Sequence, residues 1–177
     1  MKMRVFILTL FLSFCFSGFS QTDPFQEKIL NYFIVNGMLE ECNASYNQRV
    51  EDLKYQFRTA NVPDEVWSQL TKTKKKDVKD LMILLSSAFR KNYTETDIEN
   101  LTAFYKTDAG QNLAYNCDIP EEQQKEIDAF LSTKTGKKIK EKETILAEDI
   151  AQIFLYWKQD VLAGIVSGLI KKGYRPQ

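Results

Sequence analysis

The stretch AFYKTDAGQ, residues 103–111, recurs 26 residues later as AFLSTKTGK, residues 129–137. Both copies read Ala-Phe, two residues, Thr, two residues, Gly. In each copy the Thr falls where the helix carrying the Phe should end, and its hydroxyl can cap the amides of a following helix. The Gly then lies in the first turn of that helix, where the missing Cβ lets a neighbouring helix approach closely. The repeat therefore predicts two helix-corner-helix units.

The residues of the repeat have a structural interpretation and a functional one. In the second copy they are Phe130, Thr133 and Gly136. The structural interpretation makes them packing corners. In the functional one, the helix amides beside the Gly bind an anion. Lys134, in the second copy, would favour an anion, whereas Asp108, at the same place in the first copy, would repel one.

Helical periodicity dominates the chain on both sides of the repeat. Apolar residues three and four apart share one helical face, and three stretches show this spacing: Tyr46, Val50, Leu53 and Phe57; Val78, Leu81, Leu85 and Ala88; Leu146, Ile150, Ile153, Trp157, Val161 and Ile165. No stretch shows a sustained alternation with period two. The sequence predicts an all-α protein, an irregular bundle of five to seven helices with a duplicated helix-corner-helix motif.

Helix boundaries follow from prolines and capping residues. Pro24 and Pro63 suit first helical turns, and Asp118, Pro120 and Glu121 open a later helix. Thr94 is a candidate N-cap with Asp97 at the third helical position, a variant of the capping box. The segment 71–77 interrupts the apolar stripe, so residues 63–92 form either one helix or two.

The first twenty residues, MKMRVFILTLFLSFCFSGFS, predict a secretory signal peptide. Two basic residues precede an apolar run, and small residues follow at Gly18 and Ser20. A membrane anchor is the alternative, but the apolar run of 12 residues is shorter than a spanning helix needs. A lipoprotein cleaved at Cys15 is another, although Phe14 stands where a lipobox has a small residue. We therefore expect a single helical domain at 21–177, exported to the periplasm or the extracellular space.

Removal of the signal would leave two cysteines, Cys42 and Cys117. An even number of cysteines in an oxidising compartment makes them a candidate disulfide. Two free thiols are the alternative.

The composition argues against several classes of function. The chain has no histidine, which removes the commonest general base and zinc ligand. Residues 21–177 hold 22 basic and 24 acidic residues, a formal charge of −2, unlike a nucleic-acid binder. The lysine run TKTKKKD, residues 71–77, is either a solvated helix face or a local basic patch. We expect no enzyme activity, no cofactor and no metal site.

The run NYTETDIENLTAFYKTDAGQNLA, residues 92–114, resembles the signature of a bacterial family called domain of unknown function 2059. The matching residues are Tyr93, Thr94, Phe104, Tyr105, Thr107, Gly110 and Gln111. Asp108 stands where the family usually has Pro. The resemblance implies an exported all-helical protein without an assigned activity, and it supplies no catalytic residue.

Taken together, these features favour a non-catalytic protein that binds a partner protein or is associated with the cell envelope. The alternative is a carrier of an apolar or lipid-like ligand in a helical pocket. An enzyme of unknown type ranks third. We expect no transmembrane segment after signal cleavage, and the sequence does not indicate an oligomeric state.

Overall fold

The computed structural model describes residues 23–115 and 117–176, so the predicted signal peptide lies outside the described residues. Eight α-helices and one short 3-10 helix, Arg58–Ala60, fill the described part of the chain. The α-helices are α1 (Pro24–Val35), α2 (Met38–Gln56), α3 (Asp64–Leu70), α4 (Lys74–Asn92), α5 (Glu95–Tyr105), α6 (Asp108–Ala114), α7 (Glu121–Ser132) and α8 (Lys134–Lys171).

The predicted all-α class is confirmed. Six of the helices have eleven residues or more, and none of the described residues forms a strand. Helices α3 and α6 have only seven residues each; α3 buries Trp67 in the main core, and α6 buries Ala109 and Gly110. Residues 63–92 form two helices rather than one, because the chain turns at Thr71–Thr73 between α3 and α4.

The helix starts follow the capping residues. Asp23 caps α1 through a bond from the Phe25 amide to its carboxylate, and Pro24 takes the first helical position. Thr94 and Asp97 form a reciprocal capping box at α5: the Thr94 amide donates to the Asp97 carboxylate at 2.9 Å. Pro63 lies one residue earlier than predicted, at the N-cap of α3.

The main core lies between α1, α2, α4 and α8. The apolar stripes predicted on α2 and α4 are buried in it, and α8 contributes Trp157, Ile165 and Leu169. Helix α8 runs antiparallel to α4, because the Trp157 indole donates to the Asp77 carbonyl at 2.9 Å while Lys91 pairs with Asp149 at 2.9 Å. At 1.5 Å per residue, its 38 residues extend about 57 Å.

By length and composition alone, α8 is the one helix within 23–115 and 117–176 that could cross a membrane. Its most apolar 18 residues have a mean hydropathy of 1.3, and 17% of them are buried in the fold. The expectation of no transmembrane segment after cleavage stays a prediction. The outer side of the helix carries exposed apolar residues, including Ile145, Leu155 and Tyr156.

The two predicted corners have the same local structure. The Thr107 hydroxyl accepts a bond from the Gly110 amide at 3.2 Å, and the Thr133 hydroxyl accepts one from the Gly136 amide at 3.1 Å. A Cβ on Gly110 would overlap the Phe104 carbonyl oxygen and lie 2.7 Å from the Tyr105 Cα. Each glycine therefore packs its helix against the end of the preceding one.

We predict that Gly110→Ala lowers the free energy of unfolding by about 2 kcal/mol, because the added Cβ meets backbone atoms that cannot rotate away. Gly164→Ala is the matched control, since Gly164 also lies within a helix and nothing approaches its Cβ position within 4 Å. That change should leave stability unchanged or raise it by up to about 1 kcal/mol. Urea denaturation measures both variants, and equal effects would contradict the close approach at Gly110.

Candidate functional site

The two copies of the corner pack against each other. The Phe104 and Phe130 rings lie parallel, 4° apart, with their centroids at 4.1 Å. Ala109 and Ile127 are buried beside Phe104 in a second, smaller core cluster. The two segments that repeat in the sequence are therefore in direct contact in the structure.

Polar side chains repeat this arrangement reciprocally. Asp97, six residues before the first copy, pairs with Lys138, which directly follows the second copy. Gln123, six residues before the second copy, accepts a bond at 2.7 Å from Asn112, which directly follows the first. A shift of 26 positions converts 97 into 123 and 112 into 138, so the two pairs are equivalent. Such reciprocity is the property of a two-fold interface. The two copies therefore pack with approximate two-fold symmetry inside one chain.

Asp97 is the one buried carboxylate among the described residues. It accepts bonds from the Thr94 amide and hydroxyl, from the Thr135 hydroxyl at 3.1 Å, and from Lys138. Burial by itself would raise the pKa of Asp97, but these donors outweigh it and lower the pKa to about 2. The carboxylate is thus ionised and held by four bonds, which fits a structural role.

The remaining motif residues join the repeat to the main core. The Tyr105 ring meets Tyr32 of α1 edge to face, with centroids 5.8 Å apart. The Gln111 amide nitrogen donates to the Val35 carbonyl at the end of α1, at 2.8 Å, and also to the Tyr105 carbonyl. Tyr93 is buried against Phe89 of α4. The family-motif residues therefore lie in packing and capping contacts.

These contacts also weigh against the anion-binding interpretation of the corners. The Gly110 and Gly136 amides, which an anion would need, already bond to threonine hydroxyls. The structural interpretation of the repeat is the one that the geometry supports.

The candidate disulfide between Cys42 and Cys117 is wrong in this structure: both are free thiols. Cys42 is fully buried on the core side of α2, whereas Cys117 is exposed in the connection after α6. Burial raises the pKa of Cys42 to about 12, so this thiol stays protonated. The even count of cysteines predicted a bridge, but the two residues belong to different environments, one the core and one the surface.

An open groove between α1, α2 and α4 is the strongest candidate for a binding site. We call it the lysine-rimmed groove; its volume is about 480 Å³. It is lined by Leu30, Ile34, Leu39, Asn43, Lys74, Lys75, Val78, Lys79 and Met82. The helical spacing of α4 places Lys74, Val78 and Met82 in one row and Lys75 and Lys79 in the row beside it. Ile34 is 53% exposed at the edge of the groove.

The charge along the groove is positive. Within 23–115 and 117–176, no acidic side chain lies within 4 Å of the Lys74, Lys75 or Lys79 ammonium groups, whereas Lys76 on the same helix pairs with Asp80 at 2.6 Å. Lys74 also lies over the Tyr46 ring, 6.0 Å from its centroid. An apolar floor beside three unneutralised ammonium groups can bind a ligand that is both apolar and anionic.

Two other surface depressions carry mixed charge, and a third, lined by Asp64, Glu65, Ser68 and Gln69, is acidic. One of about 550 Å³ lies between α1 and α5, where Lys28 pairs with Glu95 and Glu99. One of about 710 Å³ lies beside the second corner and contains both Lys137 and Glu143. Three or more metal-binding side chains do not cluster anywhere in the described part of the chain. The lysine-rimmed groove differs from these depressions because its charged lining is entirely positive and lies beside an apolar floor.

The lysine run 71–77 is evident in the sequence, but the sequence alone does not indicate that its lysines line a groove. The groove depends on how three helices pack together, because its apolar floor comes from α1 and α2 as well as α4. A signal was present in α4 itself, where Lys75 and Lys79 are spaced four apart on one face.

Residues 79–115 match the model of a bacterial family described as "Uncharacterized protein conserved in bacteria (DUF2059)". The match covers most of α4, all of α5 and α6, and the first corner, and it confirms the resemblance drawn from the sequence. No curated protein and no solved structure matches the chain.

The Asp97 cluster predicts a specific acid sensitivity. The pKa of Asp97 is lowered in the folded state, so its stabilising contribution is complete above its unfolded pKa of about 3.8 and is lost as the pH falls toward 2. That shift corresponds to about 2 kcal/mol. Asp97→Asn should therefore lower the free energy of unfolding at neutral pH. The difference between the wild type and this variant should become smaller as the pH falls from 4 to 2.

Urea denaturation at a series of pH values measures this effect. Asp128→Asn, which replaces an exposed carboxylate on α7, is the control. A wild-type advantage over Asp97→Asn that stays constant from pH 4 to 2 would show that the Asp97 bonds do not favour the ionised form.

Proposed function

We propose that the protein is exported and acts without catalysis, by binding a partner protein in the lysine-rimmed groove. The observation that carries the proposal is the combination of an apolar floor with three lysines, Lys74, Lys75 and Lys79, in the lining of one groove. The family match supplies a bacterial origin for this type of sequence, and the predicted signal peptide supports export.

The form of the groove favours an amphipathic helix as the occupant. Three helices form an open trough whose apolar contacts come from Leu30, Leu39, Met82 and their neighbours. Recognition of an amphipathic helix uses such a trough, with the apolar face of the helix laid against the floor. Acidic residues along one edge of that helix would meet the lysine side. The partner is therefore an acidic amphipathic segment of another protein.

The non-catalytic part of the proposal rests on the state of the ionisable groups. The buried carboxylate, Asp97, has its bonding capacity used within the fold. The chain contains no histidine, and the polar residues that line the groove are three lysines and one asparagine, with no acidic residue among them. These groups favour electrostatic binding of an acidic ligand over proton transfer.

Site-specific photo-crosslinking in the native host tests the proposal. A photoreactive amino acid at Ile34, on the groove, should give one dominant covalent complex with another protein. The matched control is Ile145, an isoleucine of similar exposure, 47% against 53%, that lies on α8 and does not line the groove. Mass spectrometry of the adduct should identify an acidic amphipathic segment as the crosslinked peptide.

Charge reversal separates recognition from folding. Lys75→Glu with Lys79→Glu should reduce the crosslinked product about tenfold or more, since both side chains are exposed and buried contacts are not changed. The thermal midpoint should stay within about 2 °C of the parent protein. Equal products from Ile34 and Ile145, or a product that survives the double reversal, would refute the proposed site.

A carrier of a small anionic amphiphile is the second candidate, and the groove volume favours it. About 480 Å³ lies within the range of pockets that hold small ligands. The groove is open, which is less suited to sequestering an acyl chain than an enclosed cavity would be. Native mass spectrometry of protein purified from its host should show the bare chain mass. A bound lipid-like molecule that is lost in the Lys75→Glu/Lys79→Glu variant would replace the partner proposal with this one.

A further inference from the structure

A second basic surface lies where the C-terminal end of α8 meets the connection between α3 and α4. A Cβ on Gly168 would overlap a methyl group of Leu70, the last residue of α3. The contact brings two segments together, residues 66–76 and 161–176. Neither segment contains an acidic residue, and together they contain seven basic ones: Lys72, Lys74, Lys75, Lys76, Lys171, Lys172 and Arg175.

Part of this charge belongs to features already described. Lys74 and Lys75 line the lysine-rimmed groove, and Lys76 pairs with Asp80. The remaining four, Lys72, Lys171, Lys172 and Arg175, are exposed, and we call them the basic end. No acidic group lies within 4 Å of their charged atoms in the ranges 23–115 and 117–176. The acids of the neighbouring α3, Asp64 and Glu65, are in its first turn, whereas Gly168 contacts its last residue.

Apolar side chains lie among these cations. Ile170 is 40% exposed in the last turn of α8, and Tyr174 is half-buried just beyond it. A tyrosine between apolar and charged neighbours suits a boundary between lipid and water. Cations around exposed apolar groups are the composition of surfaces that lie on anionic bilayers.

We propose that the basic end binds the surface of a membrane containing anionic phospholipids, with Ile170 and Tyr174 at the level of the headgroups. Helix α8 then meets the bilayer with its C-terminal end, and the contact is peripheral. The contact goes beyond the binding of a partner in the groove, because its residues are different. It leaves the groove lysines free for a protein ligand near the membrane.

Vesicle co-sedimentation tests the inference with protein recovered after export from its host and checked by intact mass. The vesicles contain phosphatidylcholine alone, or phosphatidylcholine with phosphatidylglycerol. The protein should sediment with the phosphatidylglycerol vesicles and remain in solution with the neutral ones. The bound fraction should fall strongly at about 0.5 M salt, because screening shortens the range of the attraction.

Two double variants test whether the basic end is the surface that contacts the membrane. Lys171→Glu with Lys172→Glu should weaken partition to phosphatidylglycerol vesicles about tenfold or more. The control, Lys134→Glu with Lys137→Glu, makes the same change in net charge in the first turn of α8, about 50 Å away along the helix. It should stay within about twofold of the parent protein.

Lys72→Glu with Arg175→Glu leaves the last turn of α8 unaltered and should also weaken binding. Thermal denaturation verifies that each variant is folded. Binding to neutral vesicles, no binding to anionic ones, or equal losses in the basic-end and control variants would overturn the inference. The crosslink at Ile34 tests the groove separately, so either proposal can fail while the other holds.

Discussion

The stacked rings of Phe104 and Phe130 are the contact on which the second half of the fold depends. They hold two helix corners face to face, and the reciprocal pairs Asp97–Lys138 and Gln123–Asn112 flank the stack. Since each corner fixes the angle between two helices, their contact sets the directions of four. The repeat thus acts as an internal two-fold interface.

The rest of the structure is attached to this unit at two places. In the first copy, Tyr105 and Gln111 contact α1, which forms one wall of the lysine-rimmed groove. In the second copy, the corner starts α8, which then packs along α4 as far as Trp157 and beyond. The repeat therefore contacts one wall of the groove, α1, and starts the helix that ends in the basic end, although no repeat residue lines the groove.

Much of this was accessible from the sequence. Capping at Thr94, Thr107 and Thr133, and the buried stripes of α2 and α4, follow from local rules, because a hydroxyl or an apolar side chain acts within one or two helical turns. The reciprocal pairs were not predicted. They join residues such as Asp97 and Lys138 whose contact depends on how two corners dock. The bridge between Cys42 and Cys117 failed for the same reason, since residue counting contains no information about which thiol is buried.

Structural residues differ from the proposed binding residues in whether their side chains already have partners within the fold. The motif residue Gln111 and the capping residue Asp97 have hydrogen-bond partners within the fold. The groove lysines and the basic end have no acidic partner within 4 Å in the described ranges. The family match at 79–115 contains the whole first corner but only Lys79 and Met82 of the groove lining, and none of the basic end.

A double-mutant cycle on Phe104→Leu and Phe130→Leu tests the internal interface most directly. The free energy of unfolding is measured for the parent protein, the two single variants and the double variant. If the stacked rings join the two copies, the double variant should lose less stability than the sum of the single losses, with a coupling energy of about 1 kcal/mol. Additive losses, equal within about 0.3 kcal/mol, would show that the two corners are stabilised independently and would contradict the account.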